Sequence, residues 1–416
     1  MSNPAAVTET LNSRCCVVGG GPAGIMLGFL LARAGVEVVV LEKHADFLRD
    51  FRGDTIHPST LEIMYELGIL DDFLKLPHQE LRQLGVRIGD ETITTHDFTH
   101  LSTHCKFLAF MPQWDFLNFL VAQAGRYPAF HLRMEAQVTE LVTADGLVAG
   151  VLAETPAGGL EVRSDLVIGA DGRHSTVRER AGLEIIELGA PMDVLWLRLS
   201  RRQSDPVLGV GTFDYGKILV MIDRGDYFQC GFIIRKGAFD EIQQRGIATF
   251  RDEIATLVPF MKDRVDEIHD WSDIHVLTVR VDRLRHWSRP GLLCIGDAAH
   301  AMSPVGGVGI NLALQDAVAA ANILANPLRQ ATVRTEHLKA VHRRRELPTR
   351  ITQRLQVLIQ DRLIRPVLES PEHLAPPWGV RLLDRWPILR RIPARLVGIG
   401  FRPEHVRTPD VSIAGK

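Results

Sequence analysis

Three glycines and one glutamate near the N-terminus have the types and spacing needed to bind a dinucleotide. Gly19, Gly21 and Gly24 follow the pattern GxGxxG, and Glu42 comes 23 residues after the first of them. In such a loop one glycine makes a tight turn, one lets the backbone approach a pyrophosphate, and one lets the next helix pack on the preceding strand. A carboxylate at position 42 accepts hydrogen bonds from a ribose and repels a 2′-phosphate. The pattern therefore predicts bound FAD or NAD rather than NADP.

Two further motifs follow apolar runs later in the chain. Asp171-Gly172 ends the first run, where Ser175 is also placed to cap a helix. Gly296-Asp297 ends the second run. A turn after a buried strand often has such a sequence, so each motif is a weak signal by itself, and their order along the chain carries the prediction.

A third glycine-rich segment lies directly downstream. Gly306, Gly307 and Gly309 allow backbone to lie flat against a ring, and a helix is expected to begin near Asn311. The positive end of that helix would stabilise negative charge on a reduced ring system.

The elements that hold these motifs are predicted from apolar patterning. Residues 15–18 and 36–41 read as buried parallel strands with a helix between them, which makes a βαβ unit. We further predict helices at 113–124 and 311–324, hairpin strands at 138–141 and 160–162, buried strands at 165–170 and 292–295, and antiparallel strands at 218–221 and 227–234.

The glycine loop 19–24 and the segments 165–178 and 293–311, in this order, resemble the FAD-dependent aromatic hydroxylases, the single-component flavoprotein monooxygenases typified by p-hydroxybenzoate hydroxylase. The resemblance extends from about residue 15 to residue 324. It implies an α/β fold in which a Rossmann-like FAD-binding domain is interleaved with an antiparallel-sheet substrate domain, followed by a C-terminal helical segment.

The resemblance also implies a set of FAD-binding residues. Asp297 would hold the ribityl chain, Arg52 and Gln113 would lie near it, and the backbone of Val138 would contact adenine. The residues expected to bind the cofactor are Gly19, Gly21, Pro22, Ala23, Gly24, Glu42, Lys43, Arg52, Gln113, Val138, Asp171, Asp297, Pro304, Gly306, Gly307, Gly309, Ile310 and Asn311.

The activity implied by the resemblance is hydroxylation. FAD would be bound non-covalently and reduced by NAD(P)H as a transient co-substrate. Oxygen would then add to the flavin as a C4a-hydroperoxide, and its distal oxygen would pass to an aromatic or polyketide-like small molecule. No metal site is expected.

Two alternatives remain open at this point: a related FAD-dependent reductase or dehydrogenase, and a non-catalytic flavin-binding protein. Other flavoprotein classes are disfavoured by sequence. The segment 25–33 holds no redox cysteine pair, the chain has no Trp-x-Trp motif, and no second strand-glycine-helix unit follows for NAD(P)H.

The substrate site is less specific in sequence. We expect the pocket between the flavin and the sheet of residues 190–280, with candidate wall residues Thr55, His57, Tyr215 and Pro304. A neutral-range pKa would let His57 deprotonate or hydrogen-bond a phenol. No residue is assigned as catalytic, and a large, weakly polar aromatic is at least as consistent as a simple benzoate.

Composition limits the classes of function. The chain has 416 residues and a net charge of −2, which argues against nucleic-acid binding, and its five cysteines are odd in number. The polar N-terminal residues 1–14 contain no signal-peptide core, so a cytoplasmic protein is expected.

The distribution of charge and the order of the motifs predict that the chain has two domains and a C-terminal module. A discontinuous FAD-binding domain would comprise 1–80, 108–188 and 276–328, a substrate domain 81–107 and 189–275, and a helical module 329–416. Between residues 329 and 407 stand 17 Arg and Lys against 7 Asp and Glu, a local charge of +10. This segment is interpreted as a solvated helical face, with docking to a membrane surface or to an anionic partner as alternatives. Within it, residues 384–402 are predicted to form short amphipathic helices that cap the pocket, form a homodimer contact or rest on lipid.

Overall fold

The computed structural model describes residues 7–48, 55–206, 211–370 and 372–411. Its strands are β1 (Val7–Val18), β2 (Val38–Leu41), β3 (Thr55–Ile56), β4 (Gln79–Leu81), β5 (Gln83–Ile88), β6 (Glu91–Asp97), β7 (Leu108–Phe110), β8 (Phe130–Arg133), β9 (Gln137–Ala144), β10 (Leu147–Thr155), β11 (Gly158–Gly169), β12 (Ile185–Glu187), β13 (Met192–Ser200), β14 (Gly211–Asp214), β15 (Lys217–Asp223), β16 (Tyr227–Arg235), β17 (His275–Leu277), β18 (Asp282–Leu284), β19 (Ser288–Arg289) and β20 (Leu292–Cys294).

The α-helices are α1 (Pro22–Arg33), α2 (Pro58–Glu66), α3 (Leu70–Phe73), α4 (Gln113–Ala124), α5 (Thr176–Arg180), α6 (Phe239–Gln244), α7 (Ile247–Leu257), α8 (Gly309–Arg329), α9 (Thr335–Ile359), α10 (Arg365–Glu369), α11 (Trp378–Arg385) and α12 (Arg391–Gly398). Shorter 3₁₀ turns lie at Pro259–Met261, Val265–Glu267, Trp271–Asp273, Gly296–Ala298, Val305–Gly307 and Pro387–Arg390, and a π-turn lies at Gln360–Ile364.

The larger sheet carries the sequence motifs at one edge. Its strand order is β19-β20-β11-β1-β2-β8, and β20, β11, β1, β2 and β8 run parallel. The inner residues 15–18 and 38–41 are buried on both faces because helices cover the sheet. Since these strands are parallel, the segments following β1, β2, β11 and β20 meet at their carboxyl ends, where ligands bind in open α/β sheets.

The second sheet is mainly antiparallel. Its order in the described residues is β17-β13-β16-β15-β14-β5-β6, so strands from residues 83–97 join strands from residues 192–277. This is the arrangement that the sequence predicts, a parallel sheet interleaved with an antiparallel one. The residue limits of the domains stay a prediction.

One sequence prediction about strand pairing is wrong. The stretch at 160–162 is not a hairpin partner of 138–141, because it is the first half of β11, which runs without a break through 165–169. β10 lies between β9 and β11 and pairs with both. A tight turn at Asp145 and Gly146, both with positive φ, makes this pairing possible.

The helix after the third glycine segment is longer than predicted. α8 begins at Gly309 instead of Asn311 and continues through Pro327 to Arg329. Pro327 lies in the last turn of this helix, where it removes one backbone hydrogen bond. By length and composition Val305–Arg329 could cross a membrane, but most of it is buried in the protein, so it is a core helix here.

The C-terminal helices return to the body of the protein. α9 packs on α8, and α11 and α12 pack on β6. The last described residues run back to α1, where the amide of Val411 donates to the carbonyl of Arg33 at 3.0 Å. The basic segment is therefore packed against both sheets.

Candidate active site

Each glycine of the first loop meets a different steric demand. A Cβ on Gly24 would lie 1.9 Å from the carbonyl oxygen of Gly19, because α1 packs directly on the end of β1. Gly19 has φ of +108°, and a Cβ there would lie 2.3 Å from the carbonyl oxygen of Ala170. A Cβ on Gly21 would meet no atom within 4 Å. Gly24 allows α1 to pack closely on the loop, Gly19 makes the tight turn, and Gly21 borders open space.

Glu42 directly follows β2, beside this loop. Its Oε2 accepts a hydrogen bond from the amide of Gly20 at 2.8 Å. Its Oε1 lies 2.5 Å from Nδ1 of His44. The carboxylate is held at the carboxyl end of the sheet, and Lys43 lines the same cavity. A contact between Glu42 and a ribose stays a prediction.

Asp171 follows β11 and holds the turn into α5. Its Oδ1 accepts from the hydroxyl of Ser175 at 2.5 Å, and its Oδ2 accepts from the amide of Val177 at 3.1 Å. Ser175 in turn caps the amide of Arg178 at 2.9 Å. Burial raises the pKa of Asp171, against these hydrogen bonds. The structural function of the motif is therefore present, and the residue also lines the cavity.

Asp297 stands in the turn after β20 and points toward the second motif. Its Oδ2 lies 3.4 Å from a guanidinium nitrogen of Arg173, and both side chains line the cavity. The preceding Gly296 donates its amide to Oδ2 of Asp316 at 3.1 Å. The second and third motifs are thus joined across the sheet edge.

The glycine-rich loop before α8 requires left-handed backbone. Gly306 and Gly307 have φ of +79° and +62°. A Cβ on Gly307 would lie 2.9 Å from the hydroxyl oxygen of Thr55. This loop therefore packs closely on β3, and α8 begins behind it at Gly309 with no side-chain cap.

The motifs open into one large cavity of about 1210 Å³. It extends from the carboxyl edge of the larger sheet to the face of the antiparallel sheet. Predicted residues that line it are Gly19, Gly21, Pro22, Ala23, Glu42, Lys43, Thr55, Gln113, Val138, Asp171, Asp297, Pro304, Gly306, Gly307, Gly309 and Ile310. Arg52 falls outside the described residues.

Comparison with known proteins assigns the family. The sequence profile of a family described as FAD binding domain matches residues 12–355. The chain belongs to this family. It is 32% identical, over 419 residues, to 6-methylpretetramide 4-monooxygenase from Streptomyces rimosus, covering 98% of this chain and 97% of that protein. The predicted resemblance to FAD-dependent aromatic hydroxylases is confirmed, and the protein is an FAD-dependent monooxygenase with NAD(P)H as the co-substrate typical of the family.

Solved structures confirm the fold. p-Nitrophenol 4-monooxygenase from Pseudomonas putida superposes with a TM-score of 0.74 at 22% identity, covering 92% of this chain and 94% of that one. Anhydrotetracycline hydroxylase from Streptomyces rimosus gives 0.72 at 23% identity, covering 93% and 76%. At these identities the likeness concerns architecture, and it matches the predicted interleaved arrangement.

The residues present fit FAD. α1 begins at Pro22 without a side-chain cap, so its first amides are available to a phosphate. Gly21 leaves the space that a pyrophosphate needs, since a Cβ there would meet no protein atom within 4 Å. The loop of Gly306 and Gly307 offers bare backbone to a flat ring on the same cavity wall.

Two residues that were predicted to bind the cofactor, Gly24 and Asn311, do not line the cavity. Gly24 is buried under the loop, as its packing role requires. Asn311 does not line the cavity: its Oδ1 accepts from the amide of His57 at 2.9 Å and from the hydroxyl of Thr60 at 2.7 Å, and its Nδ2 donates to the carbonyl of Thr55 at 3.1 Å. Asn311 positions the loop through protein contacts.

Two substrate-site candidates need correction. His57 is fully buried and is not a wall residue; its Nδ1 lies 2.7 Å from the carbonyl of Val397, and burial lowers its pKa to about 4. Tyr215 lies in the turn between β14 and β15, 43% exposed, with its ring near His373. The sequence pattern did not predict this hairpin turn. Because Tyr215 lies on the turn, it does not line the cavity. Thr55 and Pro304 do line the cavity.

The sequence analysis placed the pocket against the antiparallel sheet but did not identify which residues of that sheet and of the C-terminal segment form the wall. His96, Trp196 and Phe213 line the cavity from the sheet, and Leu383 and Val397 line it from α11 and α12. Alternating apolar residues mark these strands, but alternation alone does not tell which face meets the cavity. The amphipathic pattern of α11 and α12 did indicate a covered face.

A buried ionic cluster supports the third motif. Besides the amide of Gly296, Asp316 of α8 binds His300 Nε2 at 2.5 Å and Arg345 Nε at 2.9 Å. Arg345 belongs to α9 and also lies 3.4 Å from Glu404. Burial alone would raise the pKa of Asp316, but His300 and Arg345 hold it below its usual range. The basic C-terminal segment is thus connected, through Arg345 and Asp316, to the turn that carries Asp297.

Proposed function

We propose that this monooxygenase hydroxylates an uncharged, polycyclic phenol of the aromatic polyketide type. The observation that carries this is the apolar wall of the substrate end of the cavity. Wall residues from the antiparallel sheet and the C-terminal helices are Leu84, Val86, Ile88, Met192, Val194, Trp196, Phe213, Val220, Ile222, Ile233, Val380, Leu383, Leu396 and Val397.

The same wall disfavours a carboxylate substrate. Among the described wall residues away from the glycine motifs, the charged side chain is Arg362, which is exposed. Burial lowers the pKa of His96 to about 4, so this imidazole is neutral near pH 7. A benzoate buried here would have no buried cation to offset its desolvation.

Size and relationship support the same proposal. The cavity, about 1210 Å³, exceeds the range of roughly 300–1,000 Å³ that is usual for a single ligand, so cofactor and substrate can occupy it together. A relative that aligns over nearly the full length is named 6-methylpretetramide 4-monooxygenase.

The protein's own part in the reaction is binding, orientation and exclusion of water. Bound FAD, reduced by NAD(P)H, supplies the activation of O2 when it is present. The helix start at Gly309 directs its positive end at the loop of Gly306 and Gly307. The apolar wall around the substrate keeps bulk water away from the reacting centre.

The test is NAD(P)H oxidation by the FAD-loaded protein with a panel of aromatic ligands. Polycyclic phenols should stimulate oxidation far more than p-hydroxybenzoate, and labelled O2 should enter the product. Equal stimulation by the benzoate would contradict the proposed substrate class. Equal turnover without oxygen would favour the reductase alternative.

We further infer that the protein works in the cytoplasm and touches a membrane surface peripherally. Large apolar side chains stand outward on the segment α11 to α12: Trp378 is 79% exposed, Ile388 64%, Ile392 60% and Trp386 56%. Residues 378–398 also contain five arginines and one aspartate, Asp384. Tryptophan and isoleucine beside arginine suit the boundary of an anionic bilayer.

Charge favours lipid over a second copy on this face. Two-fold pairing would place the same patch opposite itself, so arginines would oppose arginines. Arg381 and Arg390 have acidic partners, Glu91 and Asp384. The inner faces of the same helices line the cavity. Docking on this face would therefore place the cavity wall next to the apolar interior of the bilayer.

A further inference from the structure

β6 contains a β-bulge beside the substrate end of the cavity. Leu84 of β5 pairs with His96 and Gly85 pairs with Thr94, so Thr95 has no partner in the ladder. A bulge interrupts the alternation of side chains along a strand. As a result Thr95 and His96, although consecutive, both line the cavity.

The bulge also sets the hydrogen bonds of the imidazole. The hydroxyl oxygen of Thr95 lies 3.2 Å from the carbonyl oxygen of Leu84 and 2.8 Å from Nδ1 of His96. The hydroxyl has one proton, and a carbonyl can only accept. Both bonds form when Thr95 donates to Leu84 and Nδ1–H of His96 donates to Thr95. The opposite tautomer would leave the carbonyl without the bond from Thr95.

This tautomer leaves Nε2 of His96 with a free lone pair. Among the described residues no hydrogen bond to that atom is found. The imidazole stacks against the ring of Phe98, with 6.0 Å between the two ring centroids and 16° between the two ring planes. Since burial lowers the pKa of His96 to about 4, the lone pair is retained at neutral pH.

The position of His96 relates it to the flavin loop. α12 packs on β6, the strand that holds His96, and the carbonyl of Val397 in α12 lies 2.7 Å from Nδ1 of His57. The amide of His57 donates to Asn311, whose Nδ2 contacts the backbone of Thr55, and Thr55 packs on Gly307. His96 therefore lies toward the flavin-loop end of the substrate wall.

We propose that Nε2 of His96 accepts a hydrogen bond from a phenolic hydroxyl of the substrate. This inference rests on the proposed function, because it takes the ligand to be a phenol. In a mostly apolar wall an imidazole acceptor selects a ligand with an O–H group over its O-methyl ether, and the bond fixes which ring carbon faces the flavin loop. Drawing the proton away from oxygen also makes the ring richer in electrons.

The test measures binding of 2-hydroxyanthraquinone and 2-methoxyanthraquinone to the FAD-loaded protein by quenching of flavin fluorescence. The unmodified protein should prefer the phenol about three- to tenfold. His96→Asn keeps a donor for Thr95 but has no group at the Nε2 position, so it should lose this preference. His96→Gln places an amide oxygen there and should retain most of it.

His78→Asn is the matched control. His78 is another partly buried histidine; it stacks on Phe107 and its Nδ1 contacts the carbonyl of Leu76, but it is not a wall residue. The control should keep the preference, and each variant should retain FAD and its thermal unfolding midpoint.

The outcomes separate the two proposals. If the unmodified protein and His96→Asn share the same preference for the phenol, the assignment of His96 is overturned and the substrate class stands. If the unmodified protein binds neither compound, the proposed function is overturned together with the role of His96.

Discussion

Arg345 of α9 donates to Asp316 of α8 across 2.9 Å, and both side chains are fully buried. Asp316 also accepts the amide of Gly296, the residue before Asp297. The pair therefore joins the basic C-terminal segment to the turn that carries a cofactor motif.

Removing one partner of this pair should be costly. Arg345→Met leaves part of the carboxylate of Asp316 buried without its cation, so the free energy of unfolding should fall by about 3–5 kcal/mol. FAD retention should fall with it, because Gly296 loses a fixed acceptor. Denaturant unfolding and flavin absorbance after gel filtration measure both. Arg350→Met, which breaks an exposed pair with Glu346 on the same helix, should cost less than about 1 kcal/mol; equal losses would contradict the role of the buried pair.

Substitutions in the first loop should affect cofactor binding at one glycine and folding stability at another. Gly21→Ala adds a methyl group where the protein leaves space, so the apoprotein should keep its unfolding midpoint while FAD affinity falls at least tenfold by steric conflict, about 1.4 kcal/mol or more. Gly24→Ala places Cβ 1.9 Å from a carbonyl oxygen and should lower the stability of the apoprotein itself.

Gly379→Ala is the control for both variants, because a Cβ on that helical glycine meets no atom within 4 Å. It should leave FAD binding unchanged. Wild-type FAD affinity in Gly21→Ala would exclude the pyrophosphate from this loop.

Stability should depend on pH through buried His57. Burial lowers its folded pKa from 6.5 to about 4, so between these values the unfolded chain binds a proton that the folded chain does not. Stability should therefore fall as the pH decreases from about 6.5 to 4, by about 3 kcal/mol for this group. His96 adds a loss of the same sign.

His57→Asn can keep the contact with the carbonyl of Val397 and cannot be protonated. Its unfolding free energy should vary less over this pH range than that of the unmodified protein, as measured by urea unfolding at several pH values. An unchanged slope would show that His57 is not neutral and buried in the folded state.

The outward face of α11 and α12 should bind anionic vesicles. The protein should co-sediment with phosphatidylglycerol vesicles and far less with phosphatidylcholine, and salt should weaken binding. The double variant Trp378→Ser and Trp386→Ser should lose most of it, whereas Leu147→Ser, at a residue of β10 that is 50% exposed, should not. A dimer that the double variant abolishes, with no vesicle binding, would assign the face to a second copy.

The sequence alone determined the cofactor half of this protein. The glycines, Glu42 and Asp297 each follow a parallel strand, and parallel strands bring such segments to one edge whatever the rest of the chain does. Motif spacing was therefore enough to predict a bound FAD or NAD, and apolar patterning was enough to predict the helix Gln113–Ala124. FAD itself and the interleaved arrangement of sheets were implied by the resemblance to the aromatic hydroxylases.

Only the tertiary structure decided the substrate half. Whether a side chain in a strand faces a cavity depends on register, and a one-residue bulge brings Thr95 and His96 to the same wall. Likewise, Asn311 and His57 lie behind the wall, Tyr215 lies on an outer turn, and Arg345 is buried because residues distant in sequence fold around them. Local patterns encode strands and loops, but such contacts exist only once the chain has packed.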